Sequence, residues 1–210
     1  RQKLLRMGLD VPEEHFYTSA LATAEFLKLQ APGCSVYAVG EAGLLNALYD
    51  AGITMNDLNP EYVVIGEGRS YSLETLTKAV NLVMKGAIGA NSDVSGPAEN
   101  GIAPACKALV APIEMATGKQ AYFCGKPNPL MMRTGLRLLG CHSEEAVIIG
   151  DRMDTDIIAG TESGIATVLV LSGISDQNTP LKYAYQPTMV LSGVGEIVKK
   201  AEEKQKLCLK

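Results

Sequence analysis

Ala146-Val-Ile-Ile-Gly-Asp-Arg-Met-Asp-Thr-Asp156 is a short apolar run that stops abruptly at Gly-Asp, with a further acid five residues on. A buried strand that delivers a carboxylate at its C-terminal end is how open α/β sheets build sites for cations and phosphates. A hard cation such as Mg²⁺ takes carboxylate oxygens, waters and substrate phosphate in near-octahedral geometry. Asp151 stands where such a ligand would. Asp156, one turn into the following helix, is placed to orient ligands or to pair with a lysine. A plainer reading stays open at this point: Asp151 and Asp154 merely cap the helix that begins after the strand.

Upstream lies Gly125-Lys126-Pro127-Asn128-Pro129, again after an apolar strand and before a helix. A lysine between glycine and proline has a restricted backbone, and it can offset the charge of a transferring phosphoryl group and of nearby carboxylates. Alone it is weak; paired with Gly-Asp-x-x-x-Thr-Asp at the end of the next strand it is much more specific. Around these two elements, β-rich runs alternate with helical stretches, which predicts an α/β fold with mostly parallel strands. The expected strands are Phe16–Ser19, Ser35–Val39, Tyr62–Ile65, Gly86–Ala90, Ala121–Cys124, Ala146–Ile149 and Thr167–Leu171. Helices are expected over Ala20–Gln30, Gly43–Ala51, Ser72–Met84, Pro104–Thr117, Pro129–Leu139 and Thr155–Ser163. Asp154 is the expected N-cap of the last and Gly164 its stop, while Asn128, Pro129 and Gly140 bound the one before. The Gly/Pro/Asn-rich segment Asn91–Pro104 reads as an irregular binding loop.

The 210 residues suffice for one large domain or a core with a smaller cap. At 47% hydrophobic and 20% charged the composition is that of a globular protein. A net charge of −4 and a pI near 5.3 argue against binding a nucleic-acid polymer. Apolar runs such as Ala166–Leu171 are far too short to cross a bilayer, so no membrane association is expected. Cys34, Cys106, Cys124, Cys141 and Cys208 show no paired spacing and read as free thiols of a reducing cytoplasm rather than a disulfide framework. With only His15 and His142, a zinc site is not expected. Val39-Gly-Glu-Ala-Gly43 lacks the third glycine of a dinucleotide loop and reads as a tight turn.

Taken together these residues resemble the haloacid-dehalogenase (HAD) superfamily phosphatases, in the NagD-like branch that carries a large α/β cap. Gly125-Lys126-Pro127 is similar to the third motif of that superfamily, and Gly150-Asp151 through Asp156, followed by Ile-Ile-Ala-Gly160, to the fourth. Further likenesses are Phe16-Tyr-Thr-Ser-Ala20, Val39-Gly-Glu41, Val64-Ile-Gly-Glu67, Ala90-Asn-Ser-Asp93 and Leu169-Val-Leu-Ser-Gly173. The resemblance implies a Rossmann-like core with a parallel sheet, formed by residues 1–19 and 118–210, interrupted by an inserted α/β cap over residues 20–117. It implies Lys126 as the charge-neutralising lysine, Asp151 as the Mg²⁺ ligand, Arg152, Met153, Asp154 and Thr155 beside the substrate phosphate, and Asp156 supporting them. Asn91 and Asp93 would present polar groups from cap to substrate, or serve only as turn chemistry. Where the family more often has Thr, this chain has Ala90.

Such enzymes use an aspartate nucleophile from Asp-x-Asp at the end of the first core strand, and a covalent aspartyl-phosphate splits one displacement into two. The sequence contains no Asp-x-Asp-Gly after an apolar strand: Leu9-Asp10-Val11 and Tyr49-Asp50-Ala51 lack both the strand and the second acid. The chain opens on Arg rather than Met, and a nucleophile lying upstream is the simplest account, because losing the central strand would leave an exposed sheet edge. The substrate implied is a small phosphorylated metabolite, with nucleoside monophosphates of the UMP or GMP kind foremost. Phosphoglycolate, pyridoxal phosphate and aryl phosphates are alternatives, as is a non-catalytic phosphate- or metal-binding protein. Homo-oligomerisation is left open. The 210-residue chain is expected to show no Mg²⁺-dependent turnover of an aryl phosphate; measurable release of phosphate above the uncatalysed rate would contradict this.

Overall fold

Runs such as Tyr62-Val-Val-Ile65 carry β-branched side chains with no polar residue on either face, which suits a strand covered on both sides. The computed structural model describes residues 1–69, 71–83 and 87–198, and the chain divides into two units, Arg1–Gly125 and Lys126–Lys210.

In the first unit, a short helix α1 (Gln2–Arg6) precedes α2 (Ser19–Gln30), β1 (Ser35–Val39), α3 (Ala42–Asp50), β2 (Thr54–Met55), β3 (Tyr62–Ile65) and α4 (Leu73–Leu82). There follow β4 (Ala87–Gly89), β5 (Ser95–Ala98), β6 (Gly101–Pro104), α5 (Cys106–Thr117) and β7 (Tyr122–Phe123). Five parallel strands form one sheet in the order β2-β1-β3-β4-β7, while β5 and β6 make a separate antiparallel hairpin. In β3, Val63, Val64 and Ile65 are all buried, so both faces of the sheet are covered. On one face Ala79 and Val83 of the α4 region join Cys106, Val110 and Ile113 of α5 against Val39, Val63 and Ile65. Each such Val or Ile contributes about 1.5–3 kcal/mol by leaving water. The ends are capped locally: the Thr18 hydroxyl accepts from Leu21 N–H at 3.3 Å, and Ser72 and Thr75 form a capping box for α4.

In the second unit, α6 (Pro129–Leu139) leads to β8 (Val147–Gly150), a five-residue π-helical turn Met153–Ile157, α7 (Ile158–Glu162), β9 (Ala166–Val170) and β10 (Met189–Leu191). The strands are parallel in the order β10-β9-β8, and among the described residues β8 pairs with β9 alone. Val147 is 57% exposed and Ile149 45%, so the apolar face of β8 lies open. Met153, Ile157 and Leu169 form the core, with Leu171, Tyr183 and Tyr185 packed on it. Asn128 caps α6 by accepting from Leu130 N–H at 2.9 Å, Pro129 opens it, and left-handed Gly140 ends it, as expected.

Several sequence expectations change. Phe16–Ser19 is not a strand: a 3₁₀ turn at Glu13–His15 precedes it, and Thr18 is committed to capping α2, which starts at Ser19. The stretch Asn91–Pro104 is not irregular throughout, because Gly101 at φ 129° lets the chain reverse into the β5–β6 hairpin. The two-residue β2, and β10 with its Met-Val-Leu run, were not anticipated. Gly86, Met84 and Cys208, each assigned a place above, lie outside the described residues. The division between units falls at Gly125/Lys126, and β7 hydrogen-bonds to β4, whereas the sequence suggested a border near Gly118.

Cys34, Cys106, Cys124 and Cys141 are free thiols, the first three buried. Burial pushes the Cys106 thiol up to about 11 and the Cys124 thiol up to about 12, although a hydrogen bond with Thr23 pulls the latter the other way. A raised folded-state value means that the protonated form is favoured on folding, so stability is intact below the unfolded thiol range near 9 and is lost as pH climbs through 11–12. Denaturant midpoints measured from pH 8 to 10.5 should therefore fall above about pH 9, and Cys124→Ala should shallow that fall. A midpoint flat across the range would contradict the burial of these thiols.

Candidate active site

Three consecutive features of the second unit bring charge together. Lys126 follows β7 by three residues and is joined to Pro127 by a cis peptide bond. Its Nζ donates to Asp156 Oδ1 at 2.5 Å. The Asp156 side chain is only 5% exposed, and its other oxygen, Oδ2, accepts from the backbone N–H of Arg152 at 3.1 Å. A carboxylate so far out of water needs both partners, because removing one leaves a buried charge uncompensated.

The backbone makes room for this acid. A side chain on Gly150 would overlap the Asp156 carboxylate, so the last residue of β8 must be bare for Asp156 to reach back to it. Asp151 is the next residue along. Its Oδ2 accepts from Ile174 N–H at 2.8 Å, and its carbonyl from Ser175 N–H at 3.1 Å. A side chain on Gly173 would collide with the same carboxylate.

The turn after Asp151 is π-helical because the Arg152 carbonyl accepts from both Asp156 N–H and Ile157 N–H, each at 3.1 Å. Such turns recur at functional sites. This corrects the capping expectation: Arg152, not Asp154, occupies the cap position, and neither Asp151 nor Asp154 caps with its side chain. Asp154 instead lies exposed and takes a two-pronged hydrogen bond from Arg152, Nε to Oδ1 and Nη2 to Oδ2, both at 3.1 Å. Met153 is core, and its carbonyl accepts from the Tyr185 hydroxyl at 2.8 Å; burial pushes that phenol up. Thr155 is 2% exposed, and its Oγ1 has no hydrogen-bond partner among the described residues.

Lys126, Asp156 and the Arg152 main chain are thus brought together, with Asp151 adjoining them in the chain at Gly150. Asn91 and Asp93 belong to the other unit, just beyond β4. There Asn91 Oδ1 accepts from Asp93 N–H at 3.2 Å and Nδ2 donates to Glu67 at 2.8 Å, which fixes the amide's orientation. Beneath them the Cys106 thiol donates to the Ile65 carbonyl at 3.1 Å. Glu67, Gly173, Ile174 and Tyr185 were given no role from sequence. Glu67 is singled out by its bond from Asn91, Tyr185 by its bond to the Met153 carbonyl, and Gly173 and Ile174 by their approach to Asp151, contacts that no local pattern encodes.

The donors fit Mg²⁺ in kind. Asp151 offers a hard carboxylate oxygen and Thr155 a buried hydroxyl with no partner among the described residues, and Mg²⁺ is commonly held by one or two carboxylates plus waters and phosphate. No cluster of three His, Cys, Asp or Glu exists among the described residues.

Two family models match the chain: haloacid dehalogenase-like hydrolase over residues 1–54 and HAD-hydrolase-like over residues 123–197. A dihydroxyacetone phosphatase from Corynebacterium glutamicum is 50% identical over 197 residues, covering 93% of this chain and 72% of the relative. The ribonucleotide monophosphatase NagD of Escherichia coli is 44% identical over 192 residues, covering 90% and 75%. Among solved structures, a 4-nitrophenylphosphatase from Thermotoga maritima superposes with a TM-score of 0.89 at 31% identity, covering 94% of this chain and 77% of that one.

Asp156→Ala should cost ~2 kcal/mol in a denaturant titration, since it strands the lysine and the Arg152 amide. Gly150→Ala should cost about 1–3 kcal/mol through overlap with Asp156. Wild-type midpoints for both variants would contradict the packing described.

Proposed function

Because the chain belongs to the haloacid dehalogenase-like hydrolases, on their NagD-like phosphatase branch, we propose that Lys126, Asp151 and Asp156 serve a Mg²⁺-dependent phosphomonoesterase acting on small soluble esters. The observation that carries this reading is the 2.5 Å ion pair between Lys126 and a nearly buried Asp156. It holds a cation beside the end of β8, the strand that Asp151 directly follows, where a phosphoryl group's charge needs compensation. Bound at Asp151, Mg²⁺ would supply further charge neutralisation for the phosphate oxygens.

In this reading the nucleophile is an aspartate of the family's Asp-x-Asp-Gly motif after an apolar strand, which these 210 residues do not contain. Its oxygen forms the bond to phosphorus as the ester oxygen leaves with a proton, and water then releases phosphate from the aspartyl-phosphate. The open edge of β8, with Val147 and Ile149 exposed, supports a further strand beside it. Lys126 balances the charge carried by the phosphate, Thr155 and Arg152 hold the turn beside it, and Met153 and Asp154 complete that turn. The unit from Lys126, with residues 1–19, forms the catalytic core in this scheme, and the parallel sheet before Lys126 forms the cap. Asn91 and Asp93 are the further polar residues that the resemblance assigns to substrate. The free thiols agree with a reducing compartment such as the cytoplasm, and no helix among the described residues is long and apolar enough to cross a membrane.

Nucleoside monophosphates are the substrate class argued from the sequence, and the 44% identity to NagD supports it. The 50% identity to a dihydroxyacetone phosphatase favours a second reading, a triose or other short polyol phosphate. Ranking kcat/KM for UMP, GMP, dihydroxyacetone phosphate, phosphoglycolate and 4-nitrophenyl phosphate, on protein carrying that nucleophile, decides between them. In that protein Lys126→Ala should lower kcat by roughly 10²-fold or more. Asp151→Asn should lower kcat and raise the Mg²⁺ concentration needed for half-maximal rate. A Mg²⁺ titration unchanged by Asp151→Asn would remove Asp151 from the site.

A further inference from the structure

A carboxylate has two oxygens, and which one faces a cation depends on what holds the other. Asp151 is held at two points by one short segment: Ile174 N–H donates to Oδ2 at 2.8 Å, and Ser175 N–H donates to the Asp151 carbonyl at 3.1 Å. Ser175 is itself buried at 4% exposure, so the segment is anchored at its far end. Between that anchor and β9 lies Gly173, whose Cα approaches Asp151 so closely that an added methyl would overlap Oδ2 and lie 2.6 Å from both Cβ and Cγ. Gly173 does not need a left-handed backbone, since its φ is not among the positive ones. What the position requires is the missing side chain, and the requirement is set by Asp151.

We infer that the Gly173-Ile174-Ser175 segment is a positioning device for the metal ligand: it engages Oδ2 and the main chain of Asp151, so that Oδ1 is the oxygen that would be offered to a cation. This rests on the reading of Asp151 as a Mg²⁺ ligand and assigns that ligand's geometry to residues outside the recognised motifs. Ile174 acts through its N–H, because its side chain is 48% exposed. Gly173 acts by leaving space. A free carboxylate at the end of a strand would rotate between two faces and offer either oxygen; a carboxylate with one oxygen already hydrogen-bonded loses that freedom before the cation arrives.

The test uses Mn²⁺ as a paramagnetic stand-in for Mg²⁺, titrated by electron paramagnetic resonance into the full-length protein. Gly173→Ala and Ile174→Pro should each raise the Mn²⁺ dissociation constant at least tenfold, and Asp151→Asn should raise it by as much or more. If Asp151→Asn leaves Mn²⁺ binding unchanged, the reading of Asp151 as a ligand fails. If it weakens binding but Gly173→Ala and Ile174→Pro do not, the positioning role alone fails. A second measurement guards against simple misfolding. Gly173→Ala should lower the melting temperature of the metal-free protein when Asp151 is present and be neutral on an Asp151→Gly background, where the overlap is gone. Equal melting shifts in the two backgrounds, or a doubly substituted protein that fails to fold, would overturn the proposed contact.

Discussion

The ion pair between Lys126 and Asp156 is the constraint to which the second unit is fitted. At 5% exposure the Asp156 carboxylate has given up nearly all of its hydration, a cost of several kcal/mol unless cation and donors replace the water. Three features replace it: the Lys126 ammonium on Oδ1, the Arg152 amide on Oδ2, and the bare Cα of Gly150 that allows the close approach. The π-helical turn belongs to the same solution. The Arg152 carbonyl takes both the Asp156 and the Ile157 amide there, so the same residue whose N–H holds Oδ2 also anchors the turn that carries Asp156. The lysine is thereby held by a partner that cannot move away, so its charge has a fixed address.

The two units use the same sheet logic for different ends. In Arg1–Gly125 the strand order reverses at β1, and the loops beyond β1, β3 and β4 carry Glu41, Glu67 and Asn91. Glu41 accepts from Arg69 N–H at 2.7 Å and Glu67 from Asn91 at 2.8 Å, so these polar groups order the loops themselves. In the second unit the strand ends carry the charged groups directly. The shared plan, polar residues gathered beyond the carboxyl ends of parallel strands, is where open α/β sheets bind ligands.

The sequence was legible where one residue has one structural job. Asn128, Pro129 and Gly140 bound α6 as their local chemistry requires, and the β-branched runs at 35–39 and 62–65 became strands. For Asp156 the sequence left two uses open, orienting ligands or pairing with a lysine, and the structure shows the pair with Lys126. Legibility failed where several weak signals competed. Phe16–Ser19 has strand-like composition, but a cap at Thr18 outweighs propensity when no neighbouring strand is available. Asp154 has the right residue type for a cap, yet the π turn shifts the start of the helix to Arg152 and frees the acid for an exposed pair. Gly173 was visible as part of a family likeness, but its reason is a contact across more than twenty residues of chain. No window on the sequence reveals that kind of constraint.

The exposed side of β8 bears on how this polypeptide behaves in concentrated solution. Val147 and Ile149 are β-branched, more than two-fifths exposed, and lie on a strand whose outer N–H and C=O groups have no ladder among the described residues. Strands of this kind template addition of another strand, from the same molecule or from a neighbour, and neither a charged side chain nor a proline within Val147–Gly150 interrupts the edge. An edge of this kind is open to a further strand from any source, and contact between copies through it would grow with protein concentration. Handling this chain is a kinetic matter of which strand reaches that edge first.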